Sequence, residues 1–245
     1  MGKSQNRKMV FKRFTVHDEN CAMKIGTDAV VLGAIADHSN PGQILDVGTG
    51  SGVVALMLAQ RFESSEVVGV ELNKEAFTQA KENFRSSPFL NRVSAIHSSF
   101  QNWSNLENNH GTIDLLVSNP PFFNGTSISP IEARNMARHD SYLKIHELFS
   151  GAHNVLKDGG VAVVVWPLER EAKLLKEAEA TGFYRNKRIE IRPTENHEAV
   201  RIIAQFSSLK SPQIEEEIVL EKGVGDNREF TSEYLELMKD FFLQA

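Results

Sequence analysis

The amino-acid sequence predicts an α/β fold with a mainly parallel sheet, and three observations carry that expectation. From about residue 43, short β-branched runs alternate with helical segments. A glycine-rich turn separates the first run from its helix, and two later runs flank the turn residues Pro193–Glu198. Alternating strand and helix patterns mark βαβ units, and a turn-linked pair of strands marks a hairpin.

Before the alternation begins, Thr27 or Asp28 is expected to cap a helix reaching about Ala36, because a short polar side chain there accepts an orphan backbone N–H. Gln43–Val47 reads as a strand and Val53–Arg61 as its helix; Val67–Glu71 and Lys74–Phe84 repeat the unit. Arg92–His97 and Ile113–Ser118 are further strands, the second ended by Asn119-Pro120-Pro121, since proline cannot donate to a sheet ladder. Tyr142–Leu156 reads as a helix, stopped by Lys157-Asp158-Gly159-Gly160 ahead of the run Val161–Trp166. A helix over Glu169–Thr181 ends at Gly182, and Arg188–Ile191 pairs with Val200–Phe206. Ile214–Leu220 is a candidate further strand, and Thr231–Phe242 a closing amphipathic helix.

The 245 residues fit one large domain. Residues 1–13 are expected to be a basic, flexible N-terminus and 14–245 a single domain. Hydrophobic residues make up 41% of the chain, enough for a substantial core, yet no apolar run approaches the roughly 20 residues a membrane span needs. With no apolar signal core and one cysteine, Cys21, the expectation is a cytoplasmic protein without a membrane partner. Eight histidines form no metal-ligand spacing, so no metal is expected. A net charge of −5 excludes a protein basic all over but not a nucleic-acid partner, because distribution matters more than the sum. Lys8, Lys12 and Arg13 in the N-terminal stretch are candidate RNA contacts, as are Arg134 and Arg138 in the polar segment Asn124–Ser141. That segment reads as a functional lid or as disorder.

Two motifs carry chemistry. In Asp46-Val47-Gly48-Thr49-Gly50-Ser51-Gly52 the third glycine comes one residue too early for a dinucleotide fingerprint, and Asp46 stands where it would repel a pyrophosphate. Glu71, at the end of the next strand, suits a contact to ribose hydroxyls. The ligand implied has a ribose and a positive or zwitterionic end; S-adenosylmethionine fits and NAD fits worse. The second motif, Asn119-Pro120-Pro121-Phe122, presents an amide, a carbonyl and an aromatic ring at a strand's carboxyl end, where open α/β sheets place ligands. Alone it reads equally as a strand-ending turn. Following the other motif, it reads as a site for a planar amino group.

With these motifs the chain resembles the class I S-adenosylmethionine-dependent methyltransferases with an NPPF/Y signature. Phe14–Asp18, Cys21–Asp28, Leu56–Arg61 and the tail Tyr234–Phe242 resemble the bacterial valine-tRNA adenine-N6-methyltransferase family, which methylates the adenine next to the anticodon. The resemblance implies a Rossmann-like, seven-stranded, mostly parallel sheet of order 3-2-1-4-5-7-6, strand 7 antiparallel, with helices on both faces. It implies S-adenosylmethionine as cofactor and tRNA as partner. By motif match, Asp46, Gly48 and Gly50 line the methionine moiety, Glu71 the ribose, and Thr27 and Asp28 close over the cofactor. Ser99 replaces the Asp that usually contacts the adenine amino group. Asn119 contacts cofactor and substrate; with Pro120 it accepts the amine hydrogens, while Phe122 stacks on the target base. The same motif serves enzymes that methylate guanine in rRNA or glutamine amides in proteins, and these stay open, as does a non-catalytic cofactor-binding module.

Overall fold

The computed structural model describes residues 7–121 and 143–243. The chain opens with an antiparallel pair, β1 (Lys8–Val10) and β2 (Thr15–His17), then α1 (Thr27–Ile35). β3 (Gln43–Val47), α2 (Val53–Arg61), β4 (Glu66–Glu71), α3 (Lys74–Arg85) and β5 (Val93–His97) follow. A short helix α4 (Phe100–Ser104) leads to β6 (Ile113–Ser118). After it come α5 (Ile145–Val155), β7 (Leu156–Pro167), α6 (Glu171–Ala180), β8 (Tyr184–Thr194) and β9 (Arg201–Ser207). β10 (Ile214–Lys222), β11 (Glu229–Phe230) and α7 (Ser232–Met238) close the chain.

The main sheet runs β11-β10-β8-β9-β7-β6-β3-β4-β5. β3 to β7 are mutually parallel where they pair, β9 is antiparallel to both its neighbours, and β10 lies parallel to β8. Neighbouring residues of the central strands point to opposite faces. Ile44, Leu115 and Val163 enter one core with α1 and α2, while Leu45, Leu116 and Val164 enter the other with α5 and α6. Helices cover both faces, which is why these strands are apolar without alternation. In the second core Phe149 and Phe206, both fully buried, meet edge to face at 5.0 Å.

The structure corrects three expectations. The sheet has nine strands among the described residues rather than seven. The run Glu215-Glu216-Glu217 is a poor intrinsic strand former, but β8 supplies cations to it: Lys187–Glu216 lie 2.9 Å apart, Arg192–Glu217 3.2 Å and Arg185–Glu215 3.6 Å. Residues 8–13, expected as part of a flexible terminus, instead carry β1 and the buried Phe11, which stacks on Phe14 at 4.5 Å. The Lys12 N–H also donates to the Phe241 carbonyl at 2.8 Å, tying the terminus to the closing segment. Lastly, α1 is capped by neither Thr27 nor Asp28: Gly26 occupies the N-cap without a side-chain bond.

Truncating Phe149→Ala removes the ring at the centre of the second core. A loss of about 3–5 kcal/mol is expected from urea unfolding monitored by circular dichroism.

Candidate active site

Register brings the two sequence motifs together. Val47 is level with Ser118 on one side and with Val70 on the other. The residues that follow, Gly48, Asn119 and Glu71, therefore emerge side by side at the carboxyl edge of β3, β6 and β4. Ser118 fastens this edge, its hydroxyl donating to the Val47 carbonyl at 3.0 Å. Asn119 is half-buried, Pro120 buried and Pro121 exposed. Phe122, Arg134 and Arg138 lie outside the described residues.

The glycine-rich turn is shaped by backbone conformation. Gly48, Gly50 and Gly52 have φ of 72°, 57° and 84°, a region side chains rarely adopt. A Cβ on Gly48 would meet nothing within 4 Å among the described residues, which leaves room there for a ligand; one on Gly52 would lie 2.3 Å from the Phe84 ring, so that glycine serves packing. Val70 accepts from the N–H groups of Gly48 at 2.8 Å and Thr49 at 3.2 Å. Glu71 completes the frame: one oxygen accepts from the Gly50 N–H at 2.9 Å and the other from the Asn73 N–H at 2.8 Å. Each oxygen keeps a further lone pair for a hydroxyl donor.

Asp46 is 2% exposed and takes a 2.6 Å hydrogen bond from the Thr49 hydroxyl. Burial pushes its carboxyl from 3.8 up to about 7; the Thr49 hydroxyl and the Ala55 N–H pull the other way, and Glu71 adds to the rise. Cys21 is buried too, and its thiol is pushed up to about 11, chiefly by burial and then by Asp18 and Glu71. Such a thiol is no nucleophile. The segment after β2 is joined to the turn by Asn83, which bonds both His17 and Ser51.

The other predicted residues divide. Asp28 reaches the same edge and pairs with Arg201 at 3.2 Å; Thr27 is exposed beside it. The Ser99 hydroxyl caps α4, accepting from the Asn102 N–H at 3.1 Å. Lys12 and Arg13 are brought elsewhere. With Gln60, Arg61, Lys239 and Asp240 they line a depression of about 480 Å³ at the far end of α2, about 13 Å along the helix from the turn. Lys8 lies on β1, in the separate two-stranded sheet, opposite His17. Sequence reading passed over two residues. Thr49 locks Asp46, and Leu72, 43% exposed next to Glu71, offers an apolar platform; a large apolar side chain left in the open after a strand-end acid was the available signal. Among the described residues no cluster of three or more His, Cys, Asp or Glu could hold a metal, and no helix is long and apolar enough to cross a membrane.

Comparison with known proteins matches the model of the family described as the methyltransferase small domain over residues 21–181. A tRNA1(Val) (adenine(37)-N6)-methyltransferase of Bacteroides fragilis is 36% identical, over 96% of this chain and 97% of that protein. A protein of the same name from Trichodesmium erythraeum is 35% identical over the whole of both chains. Among solved structures, a predicted O-methyltransferase from Agrobacterium tumefaciens superposes with a TM-score of 0.69 at 15% identity, covering 87% of this chain and 96% of that one. This last likeness concerns the fold.

The raised carboxyl of Asp46 gives a pH dependence. The folded protein keeps this proton up to about pH 7, whereas an unfolded Asp releases it near 3.8; the group's contribution to stability is therefore full below about pH 4 and falls as pH rises toward 7. A ligand ammonium favours the ionised form. Its affinity is expected to rise up to about pH 7 and then level off, with proton release on binding below that point. Titration calorimetry in buffers of different ionisation enthalpy measures that release.

Proposed function

The chain belongs to the methyltransferase small-domain family and, within it, to the tRNA1(Val) (adenine(37)-N6)-methyltransferases, and from that premise we propose that it transfers a methyl group from S-adenosylmethionine to N6 of the adenine next to the anticodon of valine tRNA. In this reading the chain acts as one cytoplasmic enzyme domain that includes β1 and the buried Phe11. The observation that carries it is the shared edge: Asn119 and Pro120 follow β6 directly beside the glycine-rich turn and Glu71, across a register that levels Val47 with Ser118.

The residues present fit the cofactor. Gly48 leaves open space where a side chain would stand, Glu71 keeps acceptor capacity for a ribose diol, and Asp46 offers a charge to an ammonium. When bound, S-adenosylmethionine supplies an electrophilic methyl group on sulfur. Gly48 and Gly50 hold the methionine moiety, Asp46 braces the turn through Thr49, and Ser99 faces the adenine end beside Leu72. Thr27 and Asp28 close the edge, with Arg201 fixing Asp28.

An exocyclic adenine amine is a poor nucleophile because its lone pair delocalises into the ring. The Asn119 side-chain oxygen and the Pro120 carbonyl accept hydrogen bonds from its two N–H groups and favour a pyramidal nitrogen whose lone pair is free to attack. The proton the methylated nitrogen sheds passes to solvent, since neither carbonyl is a base. Pro120 has no N–H to compete for position. This is positioning and electrostatic stabilisation, with no covalent intermediate on the enzyme. Phe122 stacks on the target base, which a loop presents out of its stack. RNA contact is assigned to Arg134 and Arg138, with Lys8 on β1 as a further candidate; Lys12 and Arg13 serve only if the RNA extends well beyond the catalytic edge.

Two measurements test this. The protein, given labelled S-adenosylmethionine and RNA from cells lacking it, should place label in N6-methyladenosine of valine tRNA after digestion to nucleosides. Label in methylguanosine or in protein would overturn the assignment. Asn119→Ala should lower turnover by about 100-fold or more while cofactor affinity, carried mainly by Gly48, Gly50 and Glu71, falls far less; near-normal turnover would refute the role given to Asn119.

A further inference from the structure

α3 carries two buried polar side chains, Gln79 and Asn83, each 3% exposed and one helical turn apart on the same face. A buried amide is tolerated only where its hydrogen-bonding groups are matched. Asn83 matches three partners. Its oxygen accepts from the His17 N–H at 3.0 Å, and its nitrogen donates to the His17 carbonyl and the Ser51 carbonyl, both at 2.8 Å.

Those partners belong to two different parts of the site. Ser51 lies inside the glycine-rich turn. His17 ends β2 and leads into the segment that passes Cys21 and reaches Thr27 and Asp28. Gln79 adds a second tether to this segment, its oxygen accepting from the Asn20 amide at 3.0 Å. The segment is also folded tightly on itself. The Lys24 ammonium donates to the carbonyls of Asp18, Glu19 and Cys21 at 2.8, 3.0 and 2.9 Å, and the Asp18 carboxylate accepts from the Ile25 N–H at 2.8 Å. A shift at His17 is thus passed along the whole turn rather than absorbed within it.

We propose that Asn83 is a positioning residue for the cofactor, holding the glycine-rich turn and the segment after β2 at a fixed separation by bonding Ser51 and His17 at once. It acts through those backbone groups and touches no substrate. The proposal rests on the S-adenosylmethionine reading given above.

The test is Asn83→Asp. This variant keeps the size and the acceptor for the His17 N–H but sets a carboxylate oxygen against two carbonyls. S-adenosylmethionine binding by titration calorimetry is expected to weaken about 10-fold, with KM rising by a similar factor and kcat at saturating cofactor staying within about twofold. Asn83→Ala reads the same quantity without added charge, should the charged variant not fold. Leu174→Ala, fully buried in α6 against the opposite core, is expected to lower the melting temperature with no change in cofactor affinity. Native-like affinity in a folded Asn83 variant would overturn the proposal, as would an equal loss in Leu174→Ala. Failure of the unaltered protein to bind S-adenosylmethionine would instead overturn the functional reading on which the proposal rests.

Discussion

The turn from Gly48 to Gly52 is the constraint on which the rest of the site depends, because it must leave β3, reverse and enter α2 within five residues. All three glycines take positive φ. The bend frees the N–H groups of Gly48, Thr49 and Gly50 to face β4, where the Val70 carbonyl and the Glu71 carboxylate accept them. α3 packs directly on that bend: Phe84 fills the space a Cβ on Gly52 would occupy, and Asn83 holds the Ser51 carbonyl.

Electrostatics at this edge follow from burial. Asp46 carries the raised carboxyl of a group deprived of water, and among the described residues the Thr49 hydroxyl and the Ala55 N–H, rather than a cation, are what lower it. Such a site favours a ligand that brings its own positive charge, since that ligand restores the ionised form. Glu71 keeps a different environment, half-exposed between two backbone N–H groups. Two acids on adjacent strands thus sit in different electrostatic settings, one buried and one half-exposed.

The central βαβ units were legible because their signals are local. A continuous apolar run such as Ile113–Val117 needs cover on both faces, and Asn119-Pro120-Pro121 ends it by removing backbone donors. The outer elements were not legible in the same way. β10 is legible as the candidate strand Ile214–Leu220, but its three successive glutamates, Glu215–Glu217, are poor strand formers, and the arginine and lysine that β8 presents to them come only with the fold. The N-terminal stretch reads as a charged tail until Phe11 is seen beneath it, packed on Phe14 and facing Phe242. Lys12 and Arg13 look alike as RNA contacts in a basic run, yet the fold carries both to the far end of α2.

By itself the sequence determined the βαβ framework, the chemistry of its two motifs and the class of ligand they suit, because turn stereochemistry, strand termination and charge are properties of neighbouring residues. Only the tertiary structure decided which distant groups meet. It levelled Asn119 with Gly48 through strand register, buried Asp46, paired Asp28 with Arg201, and joined His17 to Ser51 through Asn83. Those outcomes depend on long-range packing and desolvation, which no window of sequence contains.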